Sequence, residues 1–155
     1  MGKYAEEIER KFLVDKHQWS PPAKGGLACR QGYIFSDGDK LVRVRIIGDK
    51  AYLTIKAKGL GISRIEYEYP IPVEDAAVML DKFCDGAIVE KVRYEFDFAG
   101  VNWCVDVFVG NNEGLILAEV ELDDEDQQFE KPIWIAEEVT ADQRYLNVNL
   151  AKKKK

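Results

Sequence analysis

The chain has 155 residues, of which 46% are hydrophobic and 32% are charged, and this length and balance suit a single globular domain. The formal net charge of −6 argues against a protein that grips nucleic acid over a large basic surface. The three cysteines are far apart, there is a single histidine, and neither a membrane-length apolar run nor a secretory signal is present, so we expect a cytoplasmic protein without disulfides, a Cys/His zinc site or a membrane partner.

Alternation of polar and apolar residues dominates the chain and predicts eight strands. They cover residues 4–14, 28–36, 41–48, 50–58, 62–72, 87–98, 101–109 and 115–122. Residues 73–84 have apolar residues near helical spacing and predict a helix. Thr140 is a candidate N-cap for a C-terminal helix that runs to about Leu150. We expect residues 1–151 to form one domain and Lys152 to Lys155 to be a disordered tail.

The predicted strands carry their charges on one face. Glu7, Glu9 and Lys11 occupy alternate positions of the first strand and therefore point to the same side. The other charged faces hold Arg43 and Arg45, then Lys56 and Lys58, then Arg64, Glu66 and Glu68, then Lys91, Arg93, Glu95 and Asp97, then Asp106, and finally Glu119 and Glu121. Two architectures fit, a sandwich with charges in solvent or a closed barrel with charges inside. Alternation alone favours the sandwich.

The signs of these charges are grouped by strand, which is less typical of a solvated surface. Arginine and lysine dominate the third and fourth strands, and carboxylates dominate the eighth. Carboxylate oxygens are the ligands that Mg²⁺ and Mn²⁺ prefer, and phosphoryl oxygens are bound by arginine and lysine. A basic wall that faces an acidic wall would therefore suit a metal–phosphate complex inside a barrel.

A set of short motifs follows the same order as the strands. They are Glu7-x-Glu9-x-Lys11, Gln31-Gly32-Tyr33, Leu41-Val42-Arg43-Val44-Arg45, Thr54-Ile55-Lys56, Arg64-x-Glu66-x-Glu68, Lys91-Val92-Arg93, Asp106-Val107-Phe108 and Glu119-Val120-Glu121. Each motif is weak, but the ordered set resembles the CYTH superfamily, the triphosphate tunnel metalloenzymes. The ending, with Glu138-Val139-Thr140, Arg144-Tyr145 and Asn149-Leu150, resembles the short bacterial branch, which is similar to inorganic triphosphatases.

The resemblance implies a mainly β (α+β) fold, and it reverses the preference for a sandwich. The expected architecture is a closed eight-stranded antiparallel β-barrel tunnel with a charged interior and a few covering helices, including a C-terminal one. The implied activity is divalent-metal-dependent hydrolysis of a triphosphate, and the short chain favours inorganic tripolyphosphate, split to pyrophosphate and phosphate. Alternatives are a nucleoside or thiamine triphosphatase or a class IV-type adenylate cyclase on the same scaffold, or a non-catalytic polyphosphate-binding module.

The resemblance also assigns roles to individual residues. The metal, Mg²⁺ or Mn²⁺, is expected on Glu7, Glu9, Asp106, Glu119 and Glu121. The phosphates are expected on Lys11, Arg43, Arg45, Lys56, Lys91 and Arg93. Glu66, Glu68 and Lys56 are the predicted catalytic residues, the glutamates as base, as contacts of metal-bound water or as orienting groups. Tyr145 and the last helix either plug one mouth or pack outside. The expected partner is a small triphosphate, not nucleic acid, and a homodimer is left open.

Overall fold

A computed structural model describes residues 5–152 and shows strands along most of that length. The strands are β1 Glu6–Val14, β2 Leu27–Ser36, β3 Lys40–Ile47, β4 Lys50–Lys58, β5 Ser63–Ile71, β6 Asp85–Phe98, β7 Val101–Val109, β8 Ile116–Leu122 and β9 Ile135–Glu138. The helices are α1 Val73–Lys82 and α2 Asn147–Leu150, and single 3-10 turns lie at Gly110–Asn112 and Gln143–Tyr145. The bounds of β1 to β8 agree with the predicted strands to within two residues.

The sheet closes on itself. Antiparallel neighbours follow the order β5-β4-β3-β2-β6-β7-β8-β1, and β1 then pairs with β5, where Glu7 lies opposite Arg64. Further along β1 the same edge is taken by β9, where Phe12 lies opposite Glu138. The molecule is therefore a closed eight-stranded antiparallel barrel with β9 as an added edge strand. The barrel prediction is confirmed, and the sandwich favoured by alternation alone is wrong.

The apolar faces of the strands point outward and are buried by segments outside the barrel. Phe12 and Trp103 are fully buried, and their ring centroids lie 5.8 Å apart. Phe129, from the segment that precedes β9, packs against both rings. On the other side, Ala76 and Leu80 of α1 are buried in a cluster with apolar side chains of β3 and β4. This exterior packing leaves the charged faces pointing inward.

One end of the barrel is filled with apolar side chains. Tyr33, Phe108 and Leu117 from three strands are buried in one cluster with Leu150 and Ala151 of the C-terminal segment. The last residues of the described chain therefore close this end, and the interior is open toward the other end. Of the two expectations for the C-terminal segment, the structure shows the plug.

The predicted C-terminal helix from Thr140 to about Leu150 is wrong in its extent. The Thr140 hydroxyl accepts a hydrogen bond from the backbone N–H of Lys11 and donates to Glu138, so it ties the segment to β1 instead of capping a helix. A single 3-10 turn and the one-turn helix α2 follow. Lys152 is exposed, and the remainder of the predicted tail lies outside the described residues, as does residue 4. Within residues 5–152 no helix has both the length and the apolar character of a membrane span.

Candidate active site

A cavity of about 670 Å³ occupies the barrel interior. Its wall carries the predicted site residues Glu7, Glu9, Lys11, Arg43, Arg45, Lys56, Glu66, Glu68, Arg93, Glu119 and Glu121. The strand register explains the gathering, because Lys11 lies opposite Glu119, Glu9 lies opposite Glu121, and neighbouring strands place inward positions side by side. Lys91 and Asp106 are not on this wall.

The basic wall is formed by β3 and β4. Arg43 is buried, and its Nη2 donates to Glu68 Oε2 at 3.2 Å and to Thr54 Oγ1 at 3.2 Å. The Thr54 hydroxyl donates in turn to the same glutamate oxygen at 2.9 Å. Arg45 donates from Nε to Gln31 Oε1 at 3.0 Å. Each guanidinium is thus oriented by a neighbouring polar group.

Four of the cations on the cavity wall form no salt bridge within residues 5–152: Lys11, Arg45, Lys50 and Arg64. The Lys11 ammonium donates instead to the backbone carbonyl of Tyr145 at 3.2 Å. Burial, followed by repulsion from Arg43 and Arg93, lowers the pKa of Arg45. Neighbouring cations that repel one another favour an anion between them.

A lysine links the basic wall to the acidic wall. Lys56 Nζ lies 2.8 Å from Glu7 Oε1 and 3.4 Å from Glu66 Oε2. Burial would lower the pKa of Lys56, but attraction from Glu7 and Glu9 outweighs burial, and the pKa is raised. Burial raises the pKa of Glu66 despite the attraction of Lys56. Glu66 is therefore a carboxylate beside a cation, with some tendency to take up a proton.

The acidic wall combines Glu7 and Glu9 of β1 with Glu119 and Glu121 of β8. Burial, with added repulsion from Glu119 and Glu7, raises the pKa of Glu9 to about 8. Burial acts the same way on Glu119, but attraction from Lys11, Arg93 and Lys91 holds its pKa well below the ordinary value. The two glutamates are therefore shifted in opposite directions, with Glu9 the carboxylate of this wall that takes up a proton more readily.

The donor set of this wall suits a hard divalent cation. Side-chain carboxylates are the oxygen ligands that Mg²⁺ and Mn²⁺ take, and repulsion from Glu119 and Glu7 adds to the burial that raises the pKa of Glu9, so a cation between these groups would relieve the repulsion. As arranged, the residues from 5 to 152 contain no group of three or more metal-ligating side chains close enough to hold an ion. Glu7 is held by Lys56 and Glu119 by Arg93, so binding would require these ion pairs to rearrange.

Lys91 and Asp106 point into the barrel but lie beyond the closed end of the cavity. Their side chains are 0% and 1% exposed, and Lys91 Nζ is 2.9 Å from Asp106 Oδ2. Arg93 donates to both oxygens of Asp106, from Nε at 2.7 Å and from Nη2 at 2.8 Å, and it also reaches Glu119 at 3.1 Å. Although burial would raise it, Arg93 and Lys91 lower the pKa of Asp106 to about 2. Burial lowers the pKa of Lys91 to about 8 against the attraction of Asp106.

The closed end of the cavity adds residues that the sequence did not single out. Leu146, Asn147 and Val148 line the cavity, and the side-chain oxygen of Asn147 accepts a hydrogen bond from Lys91 Nζ at 2.9 Å. An asparagine in a one-turn helix leaves no periodic signal. The only available hint was the polar character of a residue between the apolar Leu146 and Val148.

Comparison with known proteins extends these observations. The CYTH domain profile matches residues 5–154. The chain is 55% identical over 152 residues to an inorganic triphosphatase of Acetivibrio thermocellus, covering 98% of this chain and 95% of the relative. It is 41% identical over 149 residues to an inorganic triphosphatase of Nitrosomonas europaea, covering 94% and 96%. A crystal structure of an inorganic triphosphatase superposes with a TM-score of 0.67 at 36% identity, covering 99% and 97%.

Proposed function

The chain belongs to the CYTH family, and from that premise we propose that it hydrolyses inorganic tripolyphosphate to pyrophosphate and phosphate inside the barrel. The two relatives reported above are both named inorganic triphosphatases, and their similarity spans nearly the whole of this chain. The cavity is enclosed by the barrel wall and closed at one end, so it suits a compact substrate that is mostly phosphate. Such an enzyme would act in the cytoplasm on a dissolved anion.

The observation that carries this proposal is the group of three neighbouring cations on the cavity wall, of which only Arg43 forms a salt bridge among the described residues. Lys11 and Arg45 face the cavity, where they bond to the Tyr145 carbonyl and to Gln31 and form no salt bridge, and Arg43 lies on the same wall. Tripolyphosphate carries several negative charges at neutral pH. A polyanion between these groups would replace their mutual repulsion by charge-assisted hydrogen bonds. Lys56 and Arg93, which reach the cavity from neighbouring strands, would complete the phosphate contacts.

Lys91 and Asp106 would support the phosphate site from behind. Asp106 fixes the plane of Arg93 through two hydrogen bonds and stays ionised because Arg93 and Lys91 lower its pKa. This geometry favours Asp106 as a counterion of the basic residues over Asp106 as a metal ligand. Lys91 would add its charge to the closed end without touching solvent.

The glutamates Glu7, Glu9, Glu119 and Glu121 would hold the divalent cation, Mg²⁺ or Mn²⁺. When bound, such an ion neutralises charge on phosphoryl oxygens and so stabilises the transition state of phosphoryl transfer. Ligation requires Glu9 as a carboxylate, which its raised pKa disfavours in the absence of metal, and it requires Lys56 to release Glu7.

Glu66 and Glu68 would have two different roles in the reaction. Glu68 accepts hydrogen bonds from Arg43 and Thr54, so we assign it an orienting role. Glu66 contacts Lys56, and burial raises its pKa, so it is the candidate base that takes a proton from the attacking water. The water oxygen forms the new bond to the terminal phosphorus, the bond to the bridging oxygen breaks, and pyrophosphate leaves with that oxygen.

A substrate panel tests the proposal. Tripolyphosphate, ATP, GTP, thiamine triphosphate and pyrophosphate are incubated with the protein and Mg²⁺ or Mn²⁺, with and without EDTA, and phosphate, pyrophosphate and cyclic AMP are measured. We expect the highest kcat/KM with tripolyphosphate and no turnover in EDTA. A preference for a nucleotide or thiamine substrate would replace the proposed substrate, and binding without turnover with any metal would indicate a polyphosphate-binding module.

A further inference from the structure

The C-terminal segment at the closed end of the cavity is tied to two buried lysines, Lys11 on the cavity wall and Lys91 beyond it. The Lys11 ammonium donates to the backbone carbonyl of Tyr145 at 3.2 Å, and the Lys91 ammonium donates to Asn147 Oδ1 at 2.9 Å. Leu150, three residues further on, is buried in the apolar cluster that closes the barrel. These contacts hold the backbone and side chain of Asn147 in one place at the closed end.

The hydrogen bond from Lys91 also fixes which way the Asn147 amide points. An ammonium group only donates, so the atom 2.9 Å from it must be the amide oxygen. The amide nitrogen, with its two N–H groups, then lies in the same plane on the other side of Cγ, away from the Lys91 ammonium. Within residues 5–152 this nitrogen has no hydrogen-bond acceptor, and Asn147 lines the cavity.

We propose that Asn147 is a substrate-binding residue, whose Nδ2 donates a hydrogen bond to an oxygen of the phosphoryl group that reaches the closed end. The inference rests on the proposed function, because it takes tripolyphosphate as the ligand. Lys91 is fully buried and is not on the cavity wall, so Asn147 stands between its charge and the substrate. The ammonium polarises the amide and strengthens its N–H groups as donors.

The chain offers variants that separate this role from a merely structural one. Asn147→Asp keeps an acceptor for Lys91 but replaces the N–H donors by an anion that repels phosphate. Asn147→Ala removes both functions. Asn149→Ala is the matched control, because Asn149 lies in the same helix but is on the outside, where its amide donates to the Gln143 carbonyl at 2.7 Å.

The experiment measures KM and kcat for tripolyphosphate and, in EDTA, the Kd for tripolyphosphate by calorimetry, with melting temperatures as a check on folding. Loss of a hydrogen bond to a charged group predicts a KM and Kd raised roughly tenfold or more in Asn147→Ala. Asn147→Asp should be raised at least as much, and Asn149→Ala should match the wild type.

Affinity close to wild type in Asn147→Asp, with weakened binding in Asn147→Ala, would overturn the inference, because it would reduce Asn147 to a partner of Lys91. Wild-type affinity in both variants would overturn it as well. If the wild-type protein binds tripolyphosphate but does not hydrolyse it, the proposed activity fails, while the Kd comparison still decides the role of Asn147.

Discussion

Replacing Asp106 by asparagine probes the buried ion cluster behind the cavity. The substitution keeps the size of the side chain but leaves Lys91 and Arg93 without the carboxylate that contacts both. Removing one partner of a buried salt bridge typically costs about 3–5 kcal/mol in the free energy of unfolding. For a domain of this length each kcal/mol lowers the melting temperature by about 2–4 °C, so the loss should be roughly 6–20 °C. Glu119 remains 3.1 Å from Arg93 and should place the loss in the lower half of that range.

The assay is thermal unfolding followed by circular dichroism in EDTA, with Glu121→Gln as the control. Glu121 lines the cavity but forms no salt bridge within residues 5–152, so its replacement should change stability little. The pKa of Asp106 is lowered to about 2 in the folded protein, so its stabilising effect is present above pH about 4 and is lost as the pH falls toward 2. The difference between wild type and Asp106→Asn should shrink over that interval.

The opposite result would identify Asp106 as a metal ligand. In that case Asp106→Asn would be as stable as the wild type, or more stable, in EDTA, because a repelling carboxylate would have been removed. The increase in melting temperature on addition of Mg²⁺ would then disappear in the variant. Either finding would refute the counterion role proposed for Asp106.

Four further outcomes follow from the two walls of the cavity. Glu9→Gln should remove most turnover while the fold is kept, and near-wild-type activity at saturating Mg²⁺ would contradict the metal assignment. Because the folded pKa of Glu9 is raised to about 8, the metal-free protein should lose stability as pH rises from about 4.5 through 8, and Glu9→Gln should flatten this dependence in urea titrations. Arg43→Ala should raise the Kd for tripolyphosphate more than that for Mg²⁺ in calorimetry; a change in metal affinity alone would argue against the basic wall. Tripolyphosphate in EDTA, at a hundred times its Kd, should stabilise the wild type against unfolding by about 2.7 kcal/mol, and added salt should reduce this gain. An equal gain in the double variant Arg43→Ala/Arg45→Ala would show that the anion does not bind at the basic wall.

The strands of the barrel were predictable because their signal is local. Charged residues such as Glu7, Glu9 and Lys11 recur at every second position, and β1 to β8 begin and end close to the predicted bounds. Closure of the sheet was not predictable from that pattern, since a charged face can point to solvent or into a barrel. The barrel was predicted only from the order of the motifs along the whole chain, because that order resembles a family with a barrel fold.

The C-terminal segment escaped prediction because its conformation depends on distant contacts. Thr140 has the residue type of an N-cap, but its hydroxyl is used by the backbone of β1 and by Glu138. β9 has only four residues and pairs beside an edge of β1 that sequence patterns do not reveal. The orientation of Asn147 depends on Lys91, which lies far away in the sequence.

The sequence also did not predict how deep along the barrel each inward-pointing side chain lies. Alternation places Lys91 and Asp106 on the inward faces of β6 and β7, and both do point inward. Lys91 lies opposite Phe108 on the neighbouring strand, and Asp106 lies opposite Leu117. Phe108 and Leu117 belong to the apolar cluster at the closed end. The cavity therefore ends before it reaches them, and they pair with each other instead of lining its wall.

The most direct test of the central claim follows tripolyphosphate by ³¹P nuclear magnetic resonance in the presence of the protein and Mg²⁺. The proposed function predicts that the tripolyphosphate signals are replaced by equal molar amounts of pyrophosphate and phosphate, and that EDTA or Glu9→Gln stops the reaction. Tripolyphosphate that stays intact with Mg²⁺ and with Mn²⁺, while the protein demonstrably binds it, would contradict the claim that this cavity is a triphosphatase active site.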